Sequence, residues 1–213
     1  MIILGIDPGT AMLGYGLIER TGPHMRAIDY GVVKTPSSMA LPDRLEAIYL
    51  ALTDLIELHT PALVGVERLF FTKNVQTAFA VGQARGVALL AAARHDIEIR
   101  EATPNEVKVA TAGHGSANKD QVQRMVQALL GLPEIPEPDD AADALAIAIC
   151  VANRERSISR IPTGSLDRSA LKPATTGITP YEKAVREALR REQLGLGPEG
   201  RATSKPPKSQ PAS

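Results

Sequence analysis

The stretch IILGIDPGTAMLGYGLIE, residues 2–19, consists of two apolar runs separated by the turn Pro8-Gly9-Thr10. The first run, Ile2–Asp7, is almost uninterrupted, which is typical of a strand that is buried on both faces. Two further strands are predicted over 14–19 and 26–35, with short connections between them. Three successive strands joined in this way predict an antiparallel meander.

The hydrophobic pattern changes after residue 40. Apolar residues recur at helical spacing in 41–59, and apolar runs predict a fourth strand over 62–67 and a fifth over 97–102. Further helices are predicted over 75–94, 104–112, 119–130 and 139–154. A meander followed by alternating strands and helices predicts an α/β domain whose mixed five-stranded sheet carries helices on its faces.

The composition changes again near Ser159. Residues 159–213 hold 7 of the 16 prolines and carry ten Lys and Arg against five Asp and Glu, a net charge of +5, whereas the first 158 residues carry −5. Such a segment buries too little apolar surface to offset the entropy of ordering it. We therefore predict one folded domain over 1–158 and a basic, Pro-rich, mostly disordered tail over 159–213. The capping box that starts at Thr179 predicts one short helix in the tail, over 180–194.

The composition also excludes several classes of protein. No stretch approaches the ~18 uncharged apolar residues of a membrane span, and the N-terminus lacks the basic start of a signal peptide. The single cysteine, Cys150, rules out a disulfide framework and a cysteine-based zinc site. We therefore expect a soluble, cytoplasmic protein. An acidic domain of this kind is suited to nucleic acid only if some of its carboxylates hold cations.

Acidic residues stand at the ends of three predicted elements. Asp7 and Glu67 each end a strand, and ligands of open α/β sheets gather at the carboxyl ends of parallel strands. In the helix that begins DDAADALAIAI, residues 139–149, Asp140 and Asp143 are three residues apart and share one face. The rest of that helix is Ala, Leu and Ile, so unpaired acids beside it are costly to bury. A bound divalent cation removes that cost.

Oxygen ligands without a His or Cys partner suit Mg²⁺ or Mn²⁺ rather than zinc. If the three elements converge, the four acids form a site for two such ions, the arrangement used for in-line phosphodiester hydrolysis. Each acid also has a simpler interpretation. Asp7 can be a turn residue bonded to the backbone, and Glu67 can pair with Arg68 at the surface. The helical aspartates can favour the positive end of the helix dipole, which is the interpretation that we prefer for Asp139.

Four segments resemble the RuvC family of Holliday-junction endonucleases. They are ILGIDPGTAMLGYGLIE (3–19), GVERLFFTKNVQTAFAVGQARGVALLAAA (65–93), GHGSANKDQVQRMV (113–126) and DDAADALAIAI (139–149). The resemblance covers residues 1 to about 156, with the segments in the same order and at similar spacing. It implies an RNase H-like fold, a homodimer, and metal-dependent, symmetric nicking of four-way DNA junctions in recombination and repair. It also implies 5′-phosphate and 3′-hydroxyl products and cooperation with the RuvA–RuvB branch-migration complex.

The resemblance assigns the chemistry to individual acids. It implies that Asp7, Glu67, Asp140 and Asp143 are the catalytic residues and the ligands of Mg²⁺ or Mn²⁺, with two ions per site. It also selects Asp140 over Asp139, a choice that the spacing alone leaves open.

Two loops are candidates for DNA contact. The segment 68–74 holds two of the three phenylalanines beside two cations, and an aromatic ring can stack on an unpaired base. The resemblance places Phe70 near the junction centre and gives Phe71 no role. The loop 113–118 leads into a helix N-terminus, where backbone N–H groups and a lysine can bind phosphate. The resemblance makes Lys119 and Lys108 DNA-contacting residues, whereas we interpret His114 as an exposed loop residue.

The predicted helix 75–94 carries Gly82, Gly86 and several alanines, which give it a smooth face. That face packs on its own sheet or, as the resemblance implies, on a second copy of the chain.

Two other functions remain open. The turn that follows Asp7 also resembles the first phosphate loop of actin-like ATPases and sugar kinases. The chain is too short for the second domain of those proteins, and we find no adenosine motif in it. The second alternative, a junction-binding scaffold without catalysis, is disfavoured because all four acids are present.

Overall fold

The computed structural model describes residues 1–68 and 75–154. The predicted tail over 159–213, with its helix over 180–194, lies outside the described residues, as do Phe70 and Phe71. Along the chain the elements are β1 (Ile2–Asp7), β2 (Met12–Thr21), β3 (His24–Lys34), α1 (Leu41–His59), β4 (Leu63–Glu67), α2 (Val75–Arg94), β5 (Glu98–Ala102), α3 (Pro104–Ala112), α4 (Lys119–Leu130) and α5 (Asp139–Arg154).

The five strands form one mixed sheet in the order β3-β2-β1-β4-β5. The β1 strand is antiparallel to β2 and parallel to β4, and β5 is parallel to β4. The predicted meander and the mixed sheet are therefore confirmed. The β2 strand extends two residues beyond each predicted bound and β3 begins two residues before its own, because their ladder runs from the pair Met12 and Lys34 to the pair Thr21 and His24 beside a tight turn. Gly22 makes that turn with a φ of 62°.

Each face of the sheet covers a separate hydrophobic core. Helices α1 and α2 pack on one face, and α3, α4 and α5 pack on the other. Almost all of α5 from Ala141 to Ala152 is buried. No helix in the ranges 1–68 and 75–154 is long and apolar enough to cross a membrane.

Glycines in β1 and β2 allow the backbone of α5 to lie directly on the sheet. A Cβ atom on Gly5 would lie 2.1 Å from the carbonyl oxygen of Ala144, and one on Gly14 would lie 2.0 Å from that of Asp140. No side chain fits at this distance, so only glycine permits the contact. The close packing brings the acidic start of α5 next to β1 and β2.

A capping box fixes where α4 begins. The Oδ1 atom of Asn118 accepts a hydrogen bond of 2.9 Å from the Gln121 backbone N–H, and the Gln121 side chain accepts one of 2.9 Å from the Asn118 backbone N–H. These two bonds satisfy N–H groups that a helix start leaves without partners. Lys119 is consequently the first residue of the helix.

Candidate active site

The carboxyl ends of β1 and β4 lie side by side. Ile6 pairs with Val66 in the parallel ladder, so the next residues, Asp7 and Glu67, end neighbouring strands. Across the antiparallel ladder Asp7 pairs with Gly14, the residue that touches the Asp140 backbone. Three elements therefore bring acids to one edge of the sheet, as the sequence predicts.

The charges of these acids act on one another. The pKa of Asp7 is raised to about 7, chiefly by burial and further by the charges of Glu67, Asp143 and Asp140, while Lys119 opposes the rise. Burial also raises the pKa of Glu67 and that of Asp143. Carboxyl groups in such a site carry their full negative charge only at a cost, which an added cation reduces.

Lys119 lies between two aspartates of α5. Its Nζ atom is 3.1 Å from Oδ2 of Asp139 and 3.2 Å from Oδ2 of Asp143. Burial lowers the pKa of the Lys119 ammonium, but its hydrogen bonds to Asp139 and Asp143 outweigh burial and leave the pKa raised. The lysine thus supplies a positive charge beside the carboxylates.

Asp139 has a role that the sequence interpretation missed. Its Oδ1 atom accepts a hydrogen bond of 2.8 Å from Gln123 Nε2, and this bond together with Lys119 lowers its pKa. Gln123 and Lys119 are four residues apart on α4 and therefore share one face. Asp139 links α5 to that face of α4, in addition to standing at the start of its own helix.

Arg68 pairs with Glu101. Its Nε atom lies 3.1 Å from Oε2 of Glu101 on β5. The Glu67 carbonyl oxygen accepts a hydrogen bond of 3.2 Å from Nε of Arg85 on α2. The local sequence pattern indicates neither of these contacts, because the partners of Arg85 and Glu101 come from different elements of the fold.

The predicted DNA-contacting residues lie on different elements. Lys108 is partly exposed on α3. His114 is exposed, as interpreted, and a nitrogen of its ring lies 3.1 Å from the Ser116 hydroxyl. Phe70 lies outside the described residues.

The donor set suits a hard divalent cation. Its members are carboxylates at one edge of the sheet, and they repel one another when ionised. Within residues 1–68 and 75–154, no three Asp, Glu, His or Cys side chains converge closely enough to hold one metal ion. Oxygen donors of this kind fit Mg²⁺ or Mn²⁺ in their chemistry. Because the described side chains do not converge on one point, the carboxylates must move closer together to coordinate an ion.

The raised pKa of Asp7 predicts how stability depends on pH in metal-free buffer. Because this pKa lies above the ordinary value of 3.8, the folded state binds more protons than the unfolded state between about pH 4 and 7. The free energy of unfolding should therefore fall as pH rises through this range. We expect Asp7→Asn to be more stable than the wild type at pH 8 by on the order of 2 kcal/mol.

Thermal melting at pH 5 and pH 8 in chelator measures this difference, with Asp54→Asn, an exposed aspartate of α1, as the control. Equal melting temperatures for Asp7→Asn and the wild type at pH 8 would contradict the raised pKa.

Comparison with known proteins identifies the family. The family model described as Crossover junction endodeoxyribonuclease RuvC matches residues 3–151. The protein of that name from Halothermothrix orenii is 55% identical over 156 residues, which are 73% of this chain and 94% of that protein. The solved structure of Thermus thermophilus RuvC is 38% identical, with a TM-score of 0.68, over 73% of this chain and 96% of that one.

A second structure, of T. thermophilus RuvC in complex with a Holliday junction substrate, matches with a TM-score of 0.68 and 34% identity over the same shares of the two chains. These matches, together with the sheet topology, confirm the RNase H-like fold. The chain belongs to the RuvC family of crossover junction endodeoxyribonucleases.

Proposed function

We propose that this chain is an endonuclease that resolves four-way (Holliday) DNA junctions, acting in recombination and DNA repair. The observation that carries the proposal is the placement of Asp7, Glu67, Asp140 and Asp143 at one sheet edge of a RuvC-family domain. The non-catalytic scaffold is disfavoured because it gives no reason to gather half-buried acids whose charges raise the pKa of Asp7.

Asp7, Glu67, Asp140 and Asp143 are the residues that would hold the metal. When bound, two Mg²⁺ or Mn²⁺ ions would lower the pKa of an attacking water and stabilise the leaving oxygen. The protein's own contribution is a negatively charged edge fixed by two neighbouring strands and one closely packed helix. Asp7 is central, because the charges of the other three acids all raise its pKa.

The proposed reaction is hydrolysis at phosphorus. Water forms the new P–O bond, the bond between phosphorus and the 3′ oxygen breaks, and the products carry a 5′-phosphate and a 3′-hydroxyl. Lys119 can bind a phosphate oxygen of the DNA, since its ammonium already lies within 3.2 Å of Asp143 at the site. On binding DNA it would exchange an aspartate for a phosphate.

The remaining DNA contacts rest on the family resemblance. Phe70 would stack on a base near the junction centre, and Lys108 would bind the backbone. The partly exposed position of Lys108 on α3 is compatible with that contact.

Symmetric nicking of two strands calls for a homodimer, because a two-fold axis gives two equivalent sites. An exposed stripe along α2 supports this proposal, and its large members are Phe79, 69% exposed, and Leu90, 53% exposed. Gly86 is exposed on the same helix, with open space around it. Ala84 and Ala88 instead pack on the chain's own sheet.

Light scattering at micromolar protein concentration tests the proposed homodimer, and a monomeric mass would contradict it.

We also propose that the enzyme works in the cytoplasm with the RuvA–RuvB branch-migration complex. The proposal follows from membership of the family, in which junction cleavage and branch migration act on the same DNA.

Substrate selectivity tests the proposed function. The protein is incubated in Mg²⁺ with an end-labelled four-way junction and, separately, with linear duplexes that contain the same arm sequences. Paired nicks that a DNA ligase reseals, in the junction alone, are the expected result. Tight junction binding without nicks in Mg²⁺ or Mn²⁺ would instead establish the scaffold.

Deletion of residues 159–213 is expected to leave the chemistry intact while weakening junction binding at moderate salt. The segment carries a net charge of +5, and contacts between cations and phosphates are screened as salt rises. Junction affinity and cleavage rate, measured against salt concentration for the full and truncated chains, give the comparison. A truncated protein that is inactive even at low salt would refute this prediction.

A further inference from the structure

We propose that Arg85 and Glu101 form a positioning pair that sets the orientation of Glu67. The inference rests on the proposed function, because it concerns how one of the four acids is held for cation binding. Neither residue belongs to the group of four acids.

The first observation is the contact to the main chain of Glu67. Arg85, on the third turn of α2, donates from Nε to the Glu67 carbonyl oxygen at 3.2 Å. Its side chain is only 18% exposed, so the guanidinium is held within the fold. A rigid planar group that donates in two directions can hold a carbonyl and a carboxylate at once.

The second observation is that Glu101 is shared by two arginines. Its Oε1 atom pairs with Nη2 of Arg85, and its Oε2 atom lies 3.1 Å from Nε of Arg68. Its backbone carbonyl oxygen accepts a bond of 3.1 Å from Nη1 of Arg154. Glu101 thus contacts both the arginine that holds Glu67 and the residue that follows Glu67.

The third observation is that the strand ladder holds Glu67 on one side only. The pairing of β4 with β1 extends to Val66, whereas its pairing with β5 includes Glu67 and Ala102. The Arg68 backbone N–H also bonds to the Ala102 carbonyl oxygen, at 2.8 Å. The bond from Arg85 to the Glu67 carbonyl oxygen restrains the end of β4 beyond its last pair with β1.

These contacts make the direction of the Glu67 side chain depend on the pair. The acid is the last residue of β4, and its carboxylate must approach that of Asp7 for both to bind one cation. Groups that orient a ligand from outside the coordination sphere typically change metal affinity by 10–100-fold when they are removed.

The test measures cation affinity with and without catalysis. The Mn²⁺ concentration that gives half-maximal junction cleavage is compared with the rise in melting temperature that Mn²⁺ causes without DNA. Arg85→Met removes both donors, and Glu101→Gln removes the charge. We expect each to raise the half-maximal Mn²⁺ concentration by roughly tenfold or more and to reduce the metal-induced rise in melting temperature. Junction binding in chelator should stay within about threefold of the wild type.

Arg154→Met is the matched control. Arg154 donates a hydrogen bond to the backbone carbonyl oxygen of Glu101 and pairs with Glu106 at 3.2 Å. Neither bond involves the Glu101 carboxylate, which pairs with Arg85 and Arg68. It should lower the melting temperature in chelator and leave the half-maximal Mn²⁺ concentration within about twofold. If Arg85→Met does not fold, Arg85→Lys, which keeps the charge and loses the planar fork, takes its place.

An unchanged half-maximal concentration in both Arg85→Met and Glu101→Gln would overturn the inference, as would an equal increase in Arg154→Met. Failure of the proposed function is distinguishable, because the wild type itself would then cleave no junction at any Mn²⁺ concentration.

Discussion

Asp7→Asn is expected to reduce the rate of junction cleavage by at least about a thousandfold, since the loss of several kcal/mol of charge stabilisation in the transition state has this effect. Asp7 lies at the end of the central strand, and all three of the other acids act on its charge. Asparagine keeps the shape of the side chain and removes the negative charge that a cation needs. Single-turnover cleavage of a labelled junction gives the rate.

The same substitution should leave junction binding in chelator within about threefold of the wild type, because a carboxylate repels phosphate and its removal takes away no attractive contact with DNA. Asp54→Asn, an exposed aspartate on α1, controls for the change of residue and should cleave at the wild-type rate. Cleavage by Asp7→Asn within tenfold of the wild type would place the chemistry elsewhere.

Gly5→Ala is expected to destabilise the domain by about 3 kcal/mol or more, at the upper end of the cost of overpacking a core. The added Cβ would lie 2.1 Å from the Ala144 carbonyl oxygen and 2.7 Å from the Ala148 backbone nitrogen. Neither atom is the free end of a flexible side chain, so relief requires α5 to move away from the sheet. For a chain of this length the melting temperature should fall by roughly 6–12 °C.

Ser38→Thr adds a methyl group at an exposed position and should change stability by less than about 0.5 kcal/mol. Melting followed by circular dichroism compares the two variants. A Gly5→Ala protein as stable as the control would mean that α5 does not lie in backbone contact with β1.

The alternation of strands and helices was predictable because each element carries its own periodic pattern. The run Ile2–Asp7 and the helix Asp139–Arg154 were found with the bounds that the structure has. The convergence of Asp7 and Glu67 was predictable because ligands of open α/β sheets gather at the carboxyl ends of parallel strands, and both residues end such strands.

The contacts between distant elements were not predictable from local pattern. The sequence around Gly5 does not indicate which part of the backbone packs against it. Its partner, Ala144, is 139 residues away. From the sequence, Arg85 and Glu101 are indistinguishable from ordinary surface charges. Their pairing becomes visible only in the structure, where α2 lies beside β5. The link from Lys119 to Asp139 likewise needs the packing of α4 against α5.

The most direct test of the central claim, that these carboxylates act through bound divalent cations, is one junction-cleavage reaction followed through removal and return of the metal. Wild-type protein is freed of metal by chelator, assayed on a four-way junction, and assayed again after Mg²⁺ is restored in excess. We predict no nicks in the metal-free reaction and paired nicks after Mg²⁺ is returned. Cleavage that continues at the same rate in metal-free protein would contradict the account.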